Sequence, residues 1–159
     1  MALEIERKFL IAHIPPDIES WQEIQQAYLQ ADPERSVRVR ITSGPNRSPV
    51  AHIAIKGPAE PGHFSRHEFE YEIPVQDAQI IMPFCDHPPV QKKRHYYTYA
   101  NRRWELDEFM GANAGLLIAE IELASETDAI ALPPFVQQEV TGDPRYFNLS
   151  LAYHPFSMW

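Results

Sequence analysis

The sequence predicts an α+β fold: an eight-stranded antiparallel β-barrel with a charged lumen and short helices packed outside it. Three observations carry this prediction. Alternating apolar and charged residues recur in about eight separate stretches, the period-two pattern of strands. Helical spacing is confined to short pieces between or after those stretches. The polar face of nearly every stretch is made of Arg, Lys, Glu and Asp, whereas a sheet with one ordinary wet face mixes in Ser, Thr, Gln and Asn. A closed sheet with aliphatic faces turned outward and charges turned inward accounts for all three, and eight strands enclose room for about one small ligand.

The elements follow in chain order. Leu3 to Ile11 reads as the first strand, with Glu4, Glu6 and Lys8 on one face and Ile5, Arg7 and Phe9 on the other. Pro15-Pro16 ends it, and Asp17 is placed to cap a short helix through Trp21 and Ile24. Gln26 to Ala31 alternates again, with Gln26, Tyr28 and Gln30 sharing a face. Ser36 to Thr42 sets Arg38 and Arg40 against Val37, Val39 and Ile41. After the turn residues Ser43-Gly44-Pro45-Asn46, Val50 to Lys56 sets Ala54 and Lys56 against Ile53 and Ile55. Gly57 to Gly62 is a loop, and Arg66 to Ile73 carries Glu68, Glu70 and Glu72 on one face. Gln76 to Phe84 has helical spacing through Ala78, Ile81 and Met82, closed by Pro88-Pro89. Val90 to Ala100 places Lys92, Arg94, Tyr96 and Thr98 together, and Arg103 to Phe109 sets Glu105 and Asp107 against Trp104 and Leu106. Gly111 to Gly115 turns the chain into Leu116 to Ala124, where Glu120 and Glu122 oppose Ala119, Ile121 and Leu123. Pro133-Pro134 is read as the start of a last helical stretch, and Asn148 to Tyr153 as one or two further turns.

Composition bounds the function. A chain of 159 residues, 44% hydrophobic and 11% aromatic, is expected to form one domain over residues 1–159. With 14 Lys and Arg against 22 Asp and Glu, the net charge of -8 argues against a nucleic-acid partner. No apolar run approaches a membrane span, and the single cysteine, Cys85, fits a reducing compartment. A soluble cytoplasmic protein is expected. The histidines His52, His63, His67 and His95 lack zinc-ligand spacing.

The barrel places Lys8, Arg38, Arg40, Lys56, Lys92 and Arg94 inside as cations, with Glu4, Glu6, Glu68, Glu70, Asp107, Glu120 and Glu122 as anions. Two unit charges 4 Å apart interact by about 4 kcal/mol at an effective dielectric of 20, so a lumen crowded with either sign resists closure. Mutual salt bridging alone is one resolution. The other is a compact polyanion of phosphate type, held by the cations and accompanied by a hard divalent metal on the carboxylates.

The same residues carry a family resemblance. Glu4-Ile5-Glu6-Arg7-Lys8 resembles the Glu-x-Glu-x-Lys signature of the CYTH, or triphosphate tunnel metalloenzyme, superfamily. The similarity continues through Gln26-Ala27-Tyr28-Leu29, Arg38-Val39-Arg40, Ile55-Lys56-Gly57, Arg66-His67-Glu68-Phe69-Glu70, Lys92-Lys93-Arg94, Trp104 to Phe109, Ala119 to Leu123 and Glu139 to Tyr146. Gly142, where relatives often carry an acidic residue, and the tail Phe156-Ser157-Met158-Trp159 depart from the pattern. The resemblance implies a triphosphate-binding tunnel and a divalent-metal-dependent hydrolase, most similar to inorganic triphosphatases. Thiamine triphosphatases and an adenylate cyclase class belong to the same family, and a non-catalytic binder of polyphosphate or nucleotides would use the same tunnel. A homodimer is compatible with this reading.

On the resemblance, Glu4, Glu6, Glu120 and Glu122 are expected to hold Mg²⁺ or Mn²⁺, with Asp107 contributing directly or through water. Arg38, Arg40, Lys56, Lys92 and Arg94 are expected to bind phosphate oxygens, with Tyr28 adding a hydrogen bond. Lys8, Lys56 and Glu6 are the expected catalytic groups. Lys8 would orient the attacking water or neutralise the leaving diphosphate, and a glutamate would polarise that water.

Overall fold

The structure is a computed structural model in which residues 2–159 are described. Its strands are β1 (Ala2–Ile11), β2 (Ser20–Asp32), β3 (Arg35–Gly44), β4 (Arg47–Lys56), β5 (Ser65–Ile73), β6 (Val90–Tyr99), β7 (Arg102–Phe109), β8 (Leu117–Glu122) and β9 (Val136–Glu139). Two short helices, α1 (Val75–Ile81) and α2 (Asn148–Tyr153), accompany them. Neighbours run β5-β4-β3-β2-β6-β7-β8-β1, and β1 also pairs with β5, which closes an eight-stranded antiparallel barrel. The expected architecture is present. The short β9 lies outside the ring, added to the far end of β1 through Phe9↔Glu139 and Ile11↔Val136.

Local chemistry sets the hairpins. Ala100 and Asn101 both take positive φ, of 49° and 61°, between Tyr99 and Arg102. That is the two-residue turn whose twist matches the flanking strands. At the β2–β3 turn the Asp32 carboxylate accepts a bond from the Glu34 amide at 2.9 Å, closing the corner that Pro33 begins.

The hydrophobic core lies outside the barrel, in three clusters on the outward faces. Phe9, Trp104, Leu106 and Ile121 are covered by Phe135 of the irregular segment between β8 and β9. Val90, Phe109 and Ile118 are covered by Tyr146 and by Leu151 of α2. Ala27, Val39 and Ala51 present small side chains to Ala78 of α1 and to Met82, so the helix lies close against the sheet. Each large side chain fully buried this way contributes about 1.5–3 kcal/mol. The helices therefore cover two of the three outer faces as expected, and coil covers the third.

Three local expectations are corrected. The segment from Asp17 to Ile24 is not a helix: β2 begins at Ser20, because pairing with β6 from Ser20↔Tyr96 to Gln26↔Val90 satisfies its backbone there. The residues after Pro133-Pro134 form β9 instead of a helix, paired with the end of β1, and the bond from the Ala12 amide to the Phe135 carbonyl continues that pairing just beyond both strands. Gln30 leaves the face of Tyr28, since the β2–β3 register shifts between them. Tyr28 opposes Arg38, Gln30 opposes Val37, and Leu29 is the extra residue of a bulge. Among the described residues no helix is long and apolar enough to cross a membrane.

Candidate active site

The inward faces of the barrel strands meet in a cavity of about 250 Å³. Glu4, Glu6, Lys8, Tyr28, Arg38, Arg40, Lys56, Lys92, Arg94, Glu120 and Glu122 all line it. Asp107 does not: it is fully buried behind the wall, with Lys92 Nζ at 2.5 Å and Arg94 at 2.7 and 2.8 Å. Both its oxygens are engaged by cations. Burial alone would raise its pKa, but Arg94 and Lys92 hold it below the ordinary range. Asp107, expected to contribute to the metal directly or through water, has both oxygens bonded to the β6 cations Lys92 and Arg94.

On one side, β1 and β8 set one like pair and one opposite pair across from each other. Their register puts Glu6 directly opposite Glu122 and Lys8 opposite Glu120. Lys8 Nζ donates to Glu120 at 3.2 Å and comes within 3.7 Å of Glu6, beyond hydrogen-bond range. Burial opposes the charge on Lys8, yet Glu120 and Glu6 keep its ammonium protonated well above the ordinary lysine range. Lys8 is thus a fixed cation and no proton acceptor. Glu120 is held well below the carboxylate range by Lys8 and Arg94, despite its burial. Glu6 moves the other way, raised by burial and then by Glu120.

On the other side, Lys56 Nζ donates to Glu4 at 2.8 Å and stands 3.8 Å from Glu68, while Arg66 Nε lies 3.5 Å from Glu4. Arg38 reaches Glu70 at 3.1 Å and Glu68 at 3.7 Å, but its Nε is buried with no partner among the described residues. Arg40 is held only by the side-chain oxygen of Gln26, at 3.0 and 2.8 Å. Burial, then the neighbouring Arg38 and Arg94, lower its pKa to about 10. Burial and Arg94 bring Lys92 down to about 8, against the pull of Asp107.

Several residues that line or support the cavity were not among the expected site residues. Gln26, fully buried, donates to Asn148 Oδ1 at 2.8 Å, and Lys92 reaches the same oxygen at 3.1 Å. Arg40, Gln26, Asn148 and Lys92 thus form one chain of bonds that joins β3, β2, α2 and β6. Arg66 and Glu105 also line the cavity, and Glu105 pairs with Arg94. Glu105 shares the alternation of Asp107 and was legible from it. Asn148 had no such signal, because a neutral side chain at the start of a short helix matches no pattern.

The carboxylates suit a hard cation. A like-charged pair directly opposite in an antiparallel sheet is destabilising unless something positive lies between, and oxygen-only donors match Mg²⁺ or Mn²⁺. As placed, Glu4 and Glu120 turn to lysines, and among the described residues no three acidic, histidine or cysteine side chains are gathered tightly enough to enclose a metal.

A closed antiparallel barrel whose lumen carries both signs at this density defines a tunnel-type anion-binding protein. Comparison with known proteins places it further: the CYTH domain family matches residues 2–151, and the chain belongs to that family. It is 37% identical over 158 residues to an inorganic triphosphatase of Acetivibrio thermocellus, covering 98% of this chain and 97% of that one. It is 33% identical over 152 residues to an inorganic triphosphatase of Nitrosomonas europaea, covering 94% and 96%. Among solved structures, that of the inorganic triphosphatase NE1496 matches with a TM-score of 0.67 at 30% identity, over 96% of this chain and 95% of that one.

Proposed function

We propose that this chain is a metal-dependent triphosphatase that hydrolyses inorganic tripolyphosphate to diphosphate and orthophosphate. One observation carries the reading: after all internal ion pairs are formed, the lumen keeps unmet demand of both signs. Glu122, directly opposite Glu6, has no cation within 4.0 Å among the described residues, and Arg40 and the Nε of Arg38 lack an anion. Mutual salt bridging alone would have left neither. A triphosphate with its divalent cation meets both needs, and the curated relatives support the same reaction.

Glu4, Glu6, Glu120 and Glu122 would hold Mg²⁺ or Mn²⁺, which supplies charge neutralisation on the phosphate oxygens. Arg38, Arg40, Lys56, Lys92 and Arg94 bind the remaining oxygens, the guanidiniums as forks and the lysines as point charges. Tyr28 lies along the same wall. Lys8, permanently charged, stabilises the diphosphate as its bridging bond breaks. Glu6, its proton affinity raised by burial and by Glu120, orients and polarises the attacking water. The whole chain acts as one CYTH domain, cytoplasmic, on a free small triphosphate.

The test is phosphate release from tripolyphosphate, ATP, thiamine triphosphate and pyrophosphate with Mg²⁺ or Mn²⁺. Tripolyphosphate is expected to lead. Pyrophosphate cannot span cations from several strands, and each charge-assisted contact left unmade forfeits about 1.5–3 kcal/mol, so kcat/KM falls by roughly a hundredfold or more for two contacts. Full turnover in excess chelator would falsify the metal dependence. Tight binding with no release over hours would make the chain a binder.

A further inference from the structure

The segment from Glu139 to Tyr146 shares the family resemblance, yet its residues are not among those that line the cavity. It grips β1 from outside. The register of β1 with β5 ends at Ile5 and that with β9 begins at Phe9, so on this edge residues 6–8 belong to neither pairing. Glu6 and Lys8 lie in that gap. The Lys8 carbonyl accepts from the Val140 amide at 2.9 Å, and the Lys8 amide donates to Thr141 Oγ1 at 2.9 Å. In a regular antiparallel pair that amide would return its bond to the Val140 carbonyl. Here the Val140 carbonyl accepts instead from the Asp143 amide at 3.1 Å, inside the turn where Gly142 takes a φ of 78°. The Thr141 hydroxyl stands in for the missing backbone acceptor, and it donates in turn to the Lys8 carbonyl at 3.4 Å. Arg7 binds Glu139 Oε2 at 2.7 Å and keeps the segment on β1.

We propose that Thr141 is a positioning residue for Lys8: its hydroxyl fixes the lysine's backbone where strand pairing lapses, and so sets where the ammonium stands beside Glu120 and Glu6. The inference rests on the triphosphatase reading, in which Lys8 stabilises the departing diphosphate. Lys8 Nζ lies 3.2 Å from Glu120 and 3.7 Å from Glu6. A purely structural hydroxyl is the competing account. Both hydrogen bonds of Thr141 Oγ1 go to the main chain of Lys8, whereas the segment packs on the barrel through Val140 and Tyr146. The hydroxyl is therefore separable from the core beneath it. Misplacing a catalytic group by about 1 Å can cost about a hundredfold in rate, so even a partial shift is measurable.

The experiment compares, in the full chain, Thr141→Val, which keeps the shape and removes the hydroxyl, with Thr141→Ser, which keeps the hydroxyl. With tripolyphosphate and Mg²⁺ or Mn²⁺, the valine variant is expected to lose about tenfold in kcat with KM little changed, and the serine variant to recover the parent rate. In a Lys8→Ala background, Thr141→Val is expected to lower kcat no further. The Lys8 ammonium, followed by ¹⁵N NMR and identified by its absence in Lys8→Ala, gives a readout without turnover. Its signal moves in the valine variant and stays in place in the serine one. An unchanged kcat, an unmoved ammonium signal, a serine variant no better than valine, or a further loss in the Lys8→Ala background each overturn the proposal. Thr141→Ala is carried as a second hydroxyl-free variant, and unfolding of both, seen by circular dichroism, makes the hydroxyl a structural requirement and likewise overturns it. Failure of the parent to hydrolyse tripolyphosphate overturns instead the triphosphatase reading, and the ammonium signal then decides alone whether Thr141 sets Lys8.

Discussion

Lys8 and Glu6, two residues apart on one strand face, both have their proton affinity raised by the same crowding, which holds the charge on the lysine and opposes it on the glutamate, and this fixes their separate behaviour on substitution. Glu6→Gln keeps shape and removes charge, so hydrolysis should vanish while the melting temperature stays equal or rises, because repulsion from Glu122 is relieved. A variant that fails to fold, measured by circular dichroism, would return the pair to a structural role. Lys8→Ala should lower kcat with KM little changed, whereas Arg38→Ala should raise KM as well. Lys92 offers a pH test. With its pKa brought down to about 8 by burial, it is charged below that value and neutral above it. Substrate affinity should therefore fall as pH rises through about 8, seen as a climbing KM in initial-rate profiles. A KM that is flat well beyond that point would exclude Lys92 from binding phosphate.

At the scale of elements, α2 joins fold and lumen: Leu151 is buried in the outer core while Asn148, one turn earlier, holds Gln26 and Lys92. Leu151→Ala should cost about 2–5 kcal/mol in urea unfolding. Asn148→Ala strands the buried Gln26 amide and should cost about 1–3 kcal/mol, while also raising KM through the loss of the Arg40 support. An unchanged KM would confine Asn148 to structure. The sequence foretold the eight strands because period two survives wherever one face must be charged and the other apolar, as in β1, β3 and β7. It misled where that signal was short or ambiguous. Trp21 and Ile24 sit at helical spacing inside a strand, β9 has four residues, and the bulge at Leu29 inverts the faces midway through β2. Lumen residues with charge were legible by alternation. Neutral partners such as Gln26 and Asn148 were visible only once distant segments had been brought together.

For the molecule as a whole, the net charge of -8 repels a polyanion except in the lumen, where Arg38, Arg40, Lys56, Lys92 and Arg94 converge. Binding there should stabilise the entire barrel, since ligand bridges strands on all sides. At a hundredfold excess over Kd the gain is about 2.7 kcal/mol, or a melting temperature higher by roughly 5–10 °C for a chain of this size. Differential scanning fluorimetry with tripolyphosphate and Mg²⁺ measures this, and an unshifted transition would contradict lumen binding.

Because the apolar core sits on the outer faces and the charges on the inner, the strand's own pleat divides the labour of each residue from that of its neighbour. Along β1 a saturation scan should read as two interleaved traces. Positions 4, 6 and 8 would tolerate exchange in abundance assays and fail in turnover assays, while Ile5 and Phe9 would do the reverse. The tunnel's chemistry is then free to drift under selection without disturbing the packing that keeps the barrel closed.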